Sequence, residues 1–282
     1  MKKPLIIAAM IAVAVTVGGQ PVAAQLKLPP ASSSQTVIQS LGISTITLTY
    51  SRPNTNGRAV FTDLAPYGEV WRTGANGIPS ITFDTPVTVA GSQVDAGTYG
   101  LLTIPGEDRW TIIFSKNSQQ WGAYAYNQGE DLFRFEVKPE QLDKATETFT
   151  ISFSDVQPQS AKLDIAWEKI KISFDLTVDQ DAEIMASIDQ AMKGETKPFF
   201  LAAQYYYTNN KDIQKALEWV NEADKASAPV PYIKYWKARI QIKAGDKAGA
   251  VATATQGIEI AKQQNNPEYV KLNGQVIAEA QQ

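Results

Sequence analysis

The 282-residue sequence contains neither cysteine nor histidine. The first absence rules out disulfides, so stability must come from buried apolar surface, which a chain of this length can supply. The second removes Ser-His-Asp and Cys-His nucleophiles, His-ligated zinc, and the side chain whose ordinary pKa lies nearest neutrality. Ser-x-x-Lys occurs nowhere. The nearest approach to a nucleophile elbow, Gly42-Ile43-Ser44-Thr45-Ile46, lacks the final glycine and runs into a strand pattern. Walker-type phosphate loops and Gly-x-Gly-x-x-Gly turns are missing too. Carboxylate chemistry and oxygen-ligated metal ions are the catalytic options left open, and neither a cofactor nor a metal site is expected.

Blocks of basic charge are also lacking. The formal net charge is −3, and Lys162, Lys169 and Lys171 alternate with acids or apolar positions. Nucleic-acid affinity rests on clustered Lys and Arg that neutralise phosphates, so no nucleic-acid partner is expected. The one long apolar run is Leu5 to Val17, interrupted only by Thr16, behind Lys2 and Lys3 and ahead of Val22-Ala23-Ala24. That order predicts a signal peptide over residues 1–24 and a protein exported to the periplasm or exterior, soluble after cleavage and not integral to a membrane. Removing the leader would lower the 26 basic side chains to 24 against 29 acidic ones, a balance of −5.

Residues 25–35, rich in Pro and Ser, read as a flexible tether. Over 36–178 apolar residues recur every second position: Ile46/Leu48/Tyr50, Trp110/Ile112/Phe114, Phe133/Phe135/Val137, Phe149/Ile151/Phe153, Leu163/Ile165/Trp167 and Ile170/Ile172/Phe174/Leu176/Val178. Pro105-Gly106 predicts a hairpin joining Thr98–Ile104 to Arg109–Ser115, and Ala90-Gly91-Ser92 and Gln128-Gly129 are further turn signals. The expected fold is mainly β, an antiparallel sandwich with jelly-roll or barrel variants, followed by an all-α region over 179–282.

That second region opens with Asp179, Asp181 and Glu183. A calcium loop would need glycine where Ile184 stands and glutamate where Gln190 stands, so the acids fit a helix N-terminus better. Asp212 and Asp246 lie 34 residues apart, as do Ala216 and Ala250. This period predicts two tetratricopeptide-like repeats and a capping helix begun by Pro267. Tyr205, Tyr206, Tyr207, Trp219, Tyr235 and Trp236 exceed what so small a stack is expected to bury, which predicts a contact with the β-region or a partner.

The densest run of chemistry is Pro66-Tyr67-Gly68-Glu69-Val70-Trp71-Arg72-Thr73-Gly74-Ala75-Asn76. Together with Ser51-Arg52-Pro53, Gly57-Arg58, Ala96-Gly97-Thr98-Tyr99, Ile104-Pro105-Gly106-Glu107 and Trp121-Gly122-Ala123-Tyr124, it resembles the secreted bacterial domain of unknown function 2911, over about residues 50–178. The resemblance implies no activity.

Glu69, Arg72, Asn76, Trp121 and Tyr124 are the candidate ligand-binding residues. Trp71 is expected in the core and Glu69–Arg72 as a structural ion pair, with Arg52 or Arg58 joining. Two functions stay open. One is a non-enzymatic binding or scaffold protein of the cell envelope, holding a glycan, peptide or protein, with the helical repeats offering the groove for peptide or protein. The other is a carboxylate-dependent glycan hydrolase with Glu69 as acid, Trp121 as sugar platform, and Glu107, Asp108 or Asp131 as second carboxylate.

Overall fold

A computed structural model describes residues 28–282, so the expected signal peptide lies outside the described residues. The chain forms two compact units that divide between Thr177 and Val178. Among the described residues no helix is long and apolar enough to cross a membrane.

The first unit is built from two antiparallel sheets packed face to face, as the alternating patterns predicted. Its strands are β1 (Ser33–Leu41), β2 (Ser44–Arg52), β3 (Ser80–Phe83), β4 (Val87–Val89), β5 (Ser92–Val94), β6 (Gly97–Ile104), β7 (Trp110–Ser115), β8 (Asp131–Val137), β9 (Glu140–Ser154) and β10 (Ser160–Thr177). One sheet has the order β1-β2-β3-β6-β7-β8, the other β5-β4-β10-β9. Alternation makes the layers possible: Ile46, Leu48 and Tyr50 are buried while the threonines between them are half-exposed. Phe114 meets Phe174 edge-on across the sandwich at 6.3 Å. The Tyr50 hydroxyl donates to the Ile151 carbonyl (3.0 Å) and accepts from the Ile151 N–H (2.9 Å), joining the layers with a satisfied polar contact.

Two sequence expectations change here. Ser33, Ser34 and Gln35, assigned to the tether, pair with Arg52, Ser51 and Tyr50 in the β1–β2 ladder. The low hydrophobicity of Ser33 and Ser34 marks an exposed edge of the sheet rather than a linker. The runs ending at Trp167 and beginning at Ile170 belong to one strand, β10. Glu168 takes φ 51° and the register against β9 shifts on both sides of it. The buried positions accordingly change from odd (Leu163, Ile165, Trp167) to even (Ile172, Phe174, Leu176). The positive φ at Glu168 reverses the phase, and the surplus residues lie on β9, which runs from Thr150 to Gln141 while β10 runs only from Ala166 to Ile170.

The second unit comprises α1 (Asp181–Ala191), α2 (Phe199–Thr208), α3 (Ile213–Ala226), α4 (Pro231–Lys243), α5 (Lys247–Gln263) and α6 (Pro267–Ala280). Asp212 and Asp246 are N-caps of α3 and α5. The first accepts from the N–H of Gln214 at 2.9 Å, the second from that of Gly249 at 2.8 Å. Ala216 and Ala250, four residues inside each cap, are fully buried, so the 34-residue spacing repeats both the cap and a small residue in the helix core. At Gly257 a Cβ would stand 2.4 Å from Asn273 Oδ1, so α5 approaches α6 through an absent side chain. Much of the aromatic excess is taken up inside this unit. Tyr206 and Trp219 are buried and meet edge-on at 4.7 Å, and Arg239 lies within 5.0 to 5.4 Å of the ring centres of Tyr207, Tyr235 and Trp236.

Asp181 ties α1 to its neighbours. Lys211 Nζ donates to it at 2.6 Å and the Tyr205 hydroxyl at 2.7 Å. These bonds hold its carboxyl below the usual carboxylate value, Lys211 first. Burial and then Asp181 push the Tyr205 phenol up to about 12. A depressed carboxyl stabilises the fold above its unfolded pKa and loses that contribution as pH falls through the folded value. Asp181→Asn is expected to lower the melting temperature of the full chain at pH 7, with the difference from wild type vanishing by about pH 2. Thermal melts across that range check it.

Candidate functional site

Trp71 places the site. Its N–H donates to the Thr103 carbonyl (2.7 Å) and its carbonyl accepts from the Thr103 N–H (3.1 Å), so the chain joins the edge of β6. It rejoins at Pro79, whose carbonyl accepts from Leu101 at 3.0 Å. Between these anchors β6 advances by two residues, while residues 72–78 leave the sheet as an out-turned loop. The excursion needs unusual backbone: φ is 55° at Thr73, 143° at Gly74 and 62° at Asn76. A β-branched residue at positive φ is strained, and packing holds it. Thr73 is fully buried, with its hydroxyl 3.0 Å from that of Thr103.

Trp71 itself is a core residue, 5% exposed, as expected. It stacks on Trp167 (5.5 Å, 12°) and meets Phe149 and Trp110 edge-on at 5.2 and 6.5 Å. The loop therefore springs from a wedge of three indoles and a phenyl ring.

A second loop clasps the first. Gly77 and Trp121 form an isolated antiparallel bridge, Ile78 N–H donates to the Gln120 carbonyl (3.2 Å), and Gly122 N–H to the Asn76 carbonyl (2.9 Å). Gly122 takes φ 66°, and a Cβ there would lie 2.8 Å from the Tyr124 ring and 3.4 Å from Arg72 Nη1. Four sequence-predicted residues thus converge: Arg72 and Asn76 on one loop, Trp121 and Tyr124 on the other. The Asn76 amide reaches Ser51 Oγ at 3.4 Å. Trp121 is 69% exposed and Tyr124 87% exposed, large rings held on short, bonded loops.

Glu69 does not join them. It is exposed in the Pro66–Glu69 turn, where Gly68 N–H donates to the Pro105 carbonyl at the β6–β7 hairpin. The expected Glu69–Arg72 ion pair is absent among the described residues. Three residues of separation placed the two on either side of the buried Trp71, one at the hairpin turn and the other in the out-turned loop. Arg52, expected as a possible partner, instead donates from Nε to the Phe149 carbonyl (3.1 Å) and from Nη2 to Thr150 Oγ1 (2.8 Å).

Two clefts flank the loop. The larger, about 440 Å³, is lined by Thr49, Ser51, Ser118, Gln119, Gln120 and Trp121, among others. Its polar side chains are hydroxyls and amides, with no charged residue in the lining. The smaller, about 270 Å³, runs between Asn54, Arg58, Arg72, Gly74 and the indoles of Trp71 and Trp167. Neither lining contains an acid. Asp131, one of the second-carboxylate candidates, is engaged by Arg134 and by the Tyr126 hydroxyl at 3.0 Å, and burial followed by that carboxylate pushes the Tyr126 phenol up. Among the described residues no three acids cluster to hold a metal ion. Sequence reasoning missed the serine and glutamine lining; the uncharged run Ser118-Gln119-Gln120 before an aromatic was its only trace.

Comparison with known proteins finds one family, described as a protein of unknown function (DUF2911), matching residues 32–176. No curated protein and no solved structure matches.

Gly74 is the residue on which the loop turns most sharply. A Cβ there would meet the Ser51 carbonyl at 2.8 Å, in a backbone region that L side chains rarely adopt. Gly74→Ala is expected to destabilise by about 1–3 kcal/mol, read as a shift of the denaturant midpoint at constant slope. Gly57→Ala, at φ 72° with nothing within 4 Å of the added carbon, is expected to cost less.

Proposed function

The chain belongs to the DUF2911 family, and from that premise and the cleft beside Trp121 we propose a non-enzymatic saccharide-binding protein of the cell envelope. The observation that carries the proposal is a fixed, exposed indole bordering a cleft whose polar side chains are all hydroxyls and amides. Sugars offer apolar C–H faces and rings of neutral hydroxyls. An indole face supplies the platform, and Ser51, Thr49, Ser118, Gln119 and Gln120 supply donors and acceptors without a desolvated charge. Two-carboxylate hydrolysis has less support: Glu69 sits at the hairpin turn, away from Trp121, and no acid lines the cleft. Export rests on the leader-like residues 1–24.

For the helical unit we favour a tetratricopeptide-like pair of repeats that docks a peptide or protein. The equivalent caps Asp212 and Asp246, and the half-buried ring cluster of Tyr207, Tyr235 and Trp236 around Arg239, support it.

Trp121→Ala is expected to reduce affinity for neutral oligosaccharides at least tenfold, or about 1.4 kcal/mol. The melting temperature should stay unchanged, because the ring is exposed. An array of neutral oligosaccharides probed with wild type and variant checks it. No binding by wild type would remove the saccharide assignment, and equal binding by both proteins would remove Trp121 from the site.

A further inference from the structure

The smaller cleft has a different chemistry, and we propose that it is a second binding site, independent of the saccharide assignment, for the carboxylate of a small organic acid gripped between Arg72 and Arg58. Arg72 makes no hydrogen bond and no ion pair among the described residues. Its Nε is buried without an acceptor, while its two terminal nitrogens, equally unpartnered, are not buried. A guanidinium walled in by protein on one side and left without an anion is costly unless something supplies the negative charge. Arg58 stands at the rim with Nε bonded to the Thr55 carbonyl (2.9 Å) and Nη2 to the Asn54 carbonyl (2.7 Å), which fixes the group and leaves Nη1 to donate.

Charge and shape select the ligand. Glu147 accepts from the Thr55 hydroxyl and from the Asn56 N–H at 2.9 Å, and these bonds hold its carboxyl below the usual value. It lies near Arg58 but not in the cleft lining. Two guanidinium groups and no acid in the lining make the cleft cationic and suited to an anion. The planar fork of Arg72 matches a planar carboxylate. Trp71 and Trp167 border the same space and offer apolar indole surface to the body of the acid. A cleft of about 270 Å³ holds a molecule the size of a hexuronic acid and not an extended chain.

Glucuronate and glucose share a ring and differ by the charge, so they form the probe pair. Calorimetric titration of the full chain at low ionic strength is expected to show saturable glucuronate binding that weakens as sodium chloride is added. Arg72→Gln and Arg58→Gln should each weaken it at least tenfold, and Arg72→Lys less so. Neither arginine lines the saccharide cleft, so their loss reports on this cleft alone. No saturable binding by wild type would overturn the proposal, as would unchanged affinity in both glutamine variants. Tighter binding of inorganic phosphate or sulfate than of glucuronate would overturn the choice of a carboxylate. If Arg72→Gln melts below the assay temperature, the rim variant Arg58→Gln carries the test.

Discussion

Trp71 lying flat on Trp167 is the contact on which the functional end of the β-unit depends. One indole belongs to a segment bridged to β6 of the six-stranded sheet, the other to β10 in the opposite sheet. Phe149 closes the stack edge-on against both. Burying a side chain of this size contributes about 3–5 kcal/mol relative to alanine, enough to hold a neighbouring loop in an unfavourable backbone conformation. Strain at Thr73 is thus sustained by packing two residues away.

From that anchor a single loop separates two unlike surfaces. On one side lie hydroxyls, amides and an exposed indole; on the other, two guanidinium groups over buried indoles. Arg72 belongs to the second surface, yet its Nη1 lies behind Gly122 of the loop that carries Trp121. The uncharged cleft and the cationic cleft are kept apart by a few residues of backbone.

How much of this was legible in the sequence varies by residue and for physical reasons. Period-two alternation announced the sandwich because each strand buries one face, and Pro105-Gly106 announced its hairpin because only certain residues fit the turn. Arg72, Asn76, Trp121 and Tyr124 stood out because charged, amide and aromatic types crowd short segments rich in glycine. Glu69 stood out for the same reason but points elsewhere: proximity in sequence says nothing about which side of a buried Trp71 a neighbour emerges on. The lining from Thr49, Ser51 and Gln119 stayed hidden, since those residues come from distant segments and are individually ordinary. Ser33 and Ser34 looked like linker because an exposed edge strand and a tether share a composition.

The register break at Glu168 lets one strand carry two phases of burial. Leu163, Ile165 and Trp167 alternate in one phase and Ile172, Phe174 and Leu176 in the other, so a straight strand of this sequence would turn half of itself outward. The positive φ of Glu168 reverses the phase, while β9 runs from Thr150 to Gln141 against β10 from Ala166 to Ile170. Both halves of β10 thereby keep their apolar side chains on the inner face, and Trp167, at the end of the first half, stays buried against Trp71.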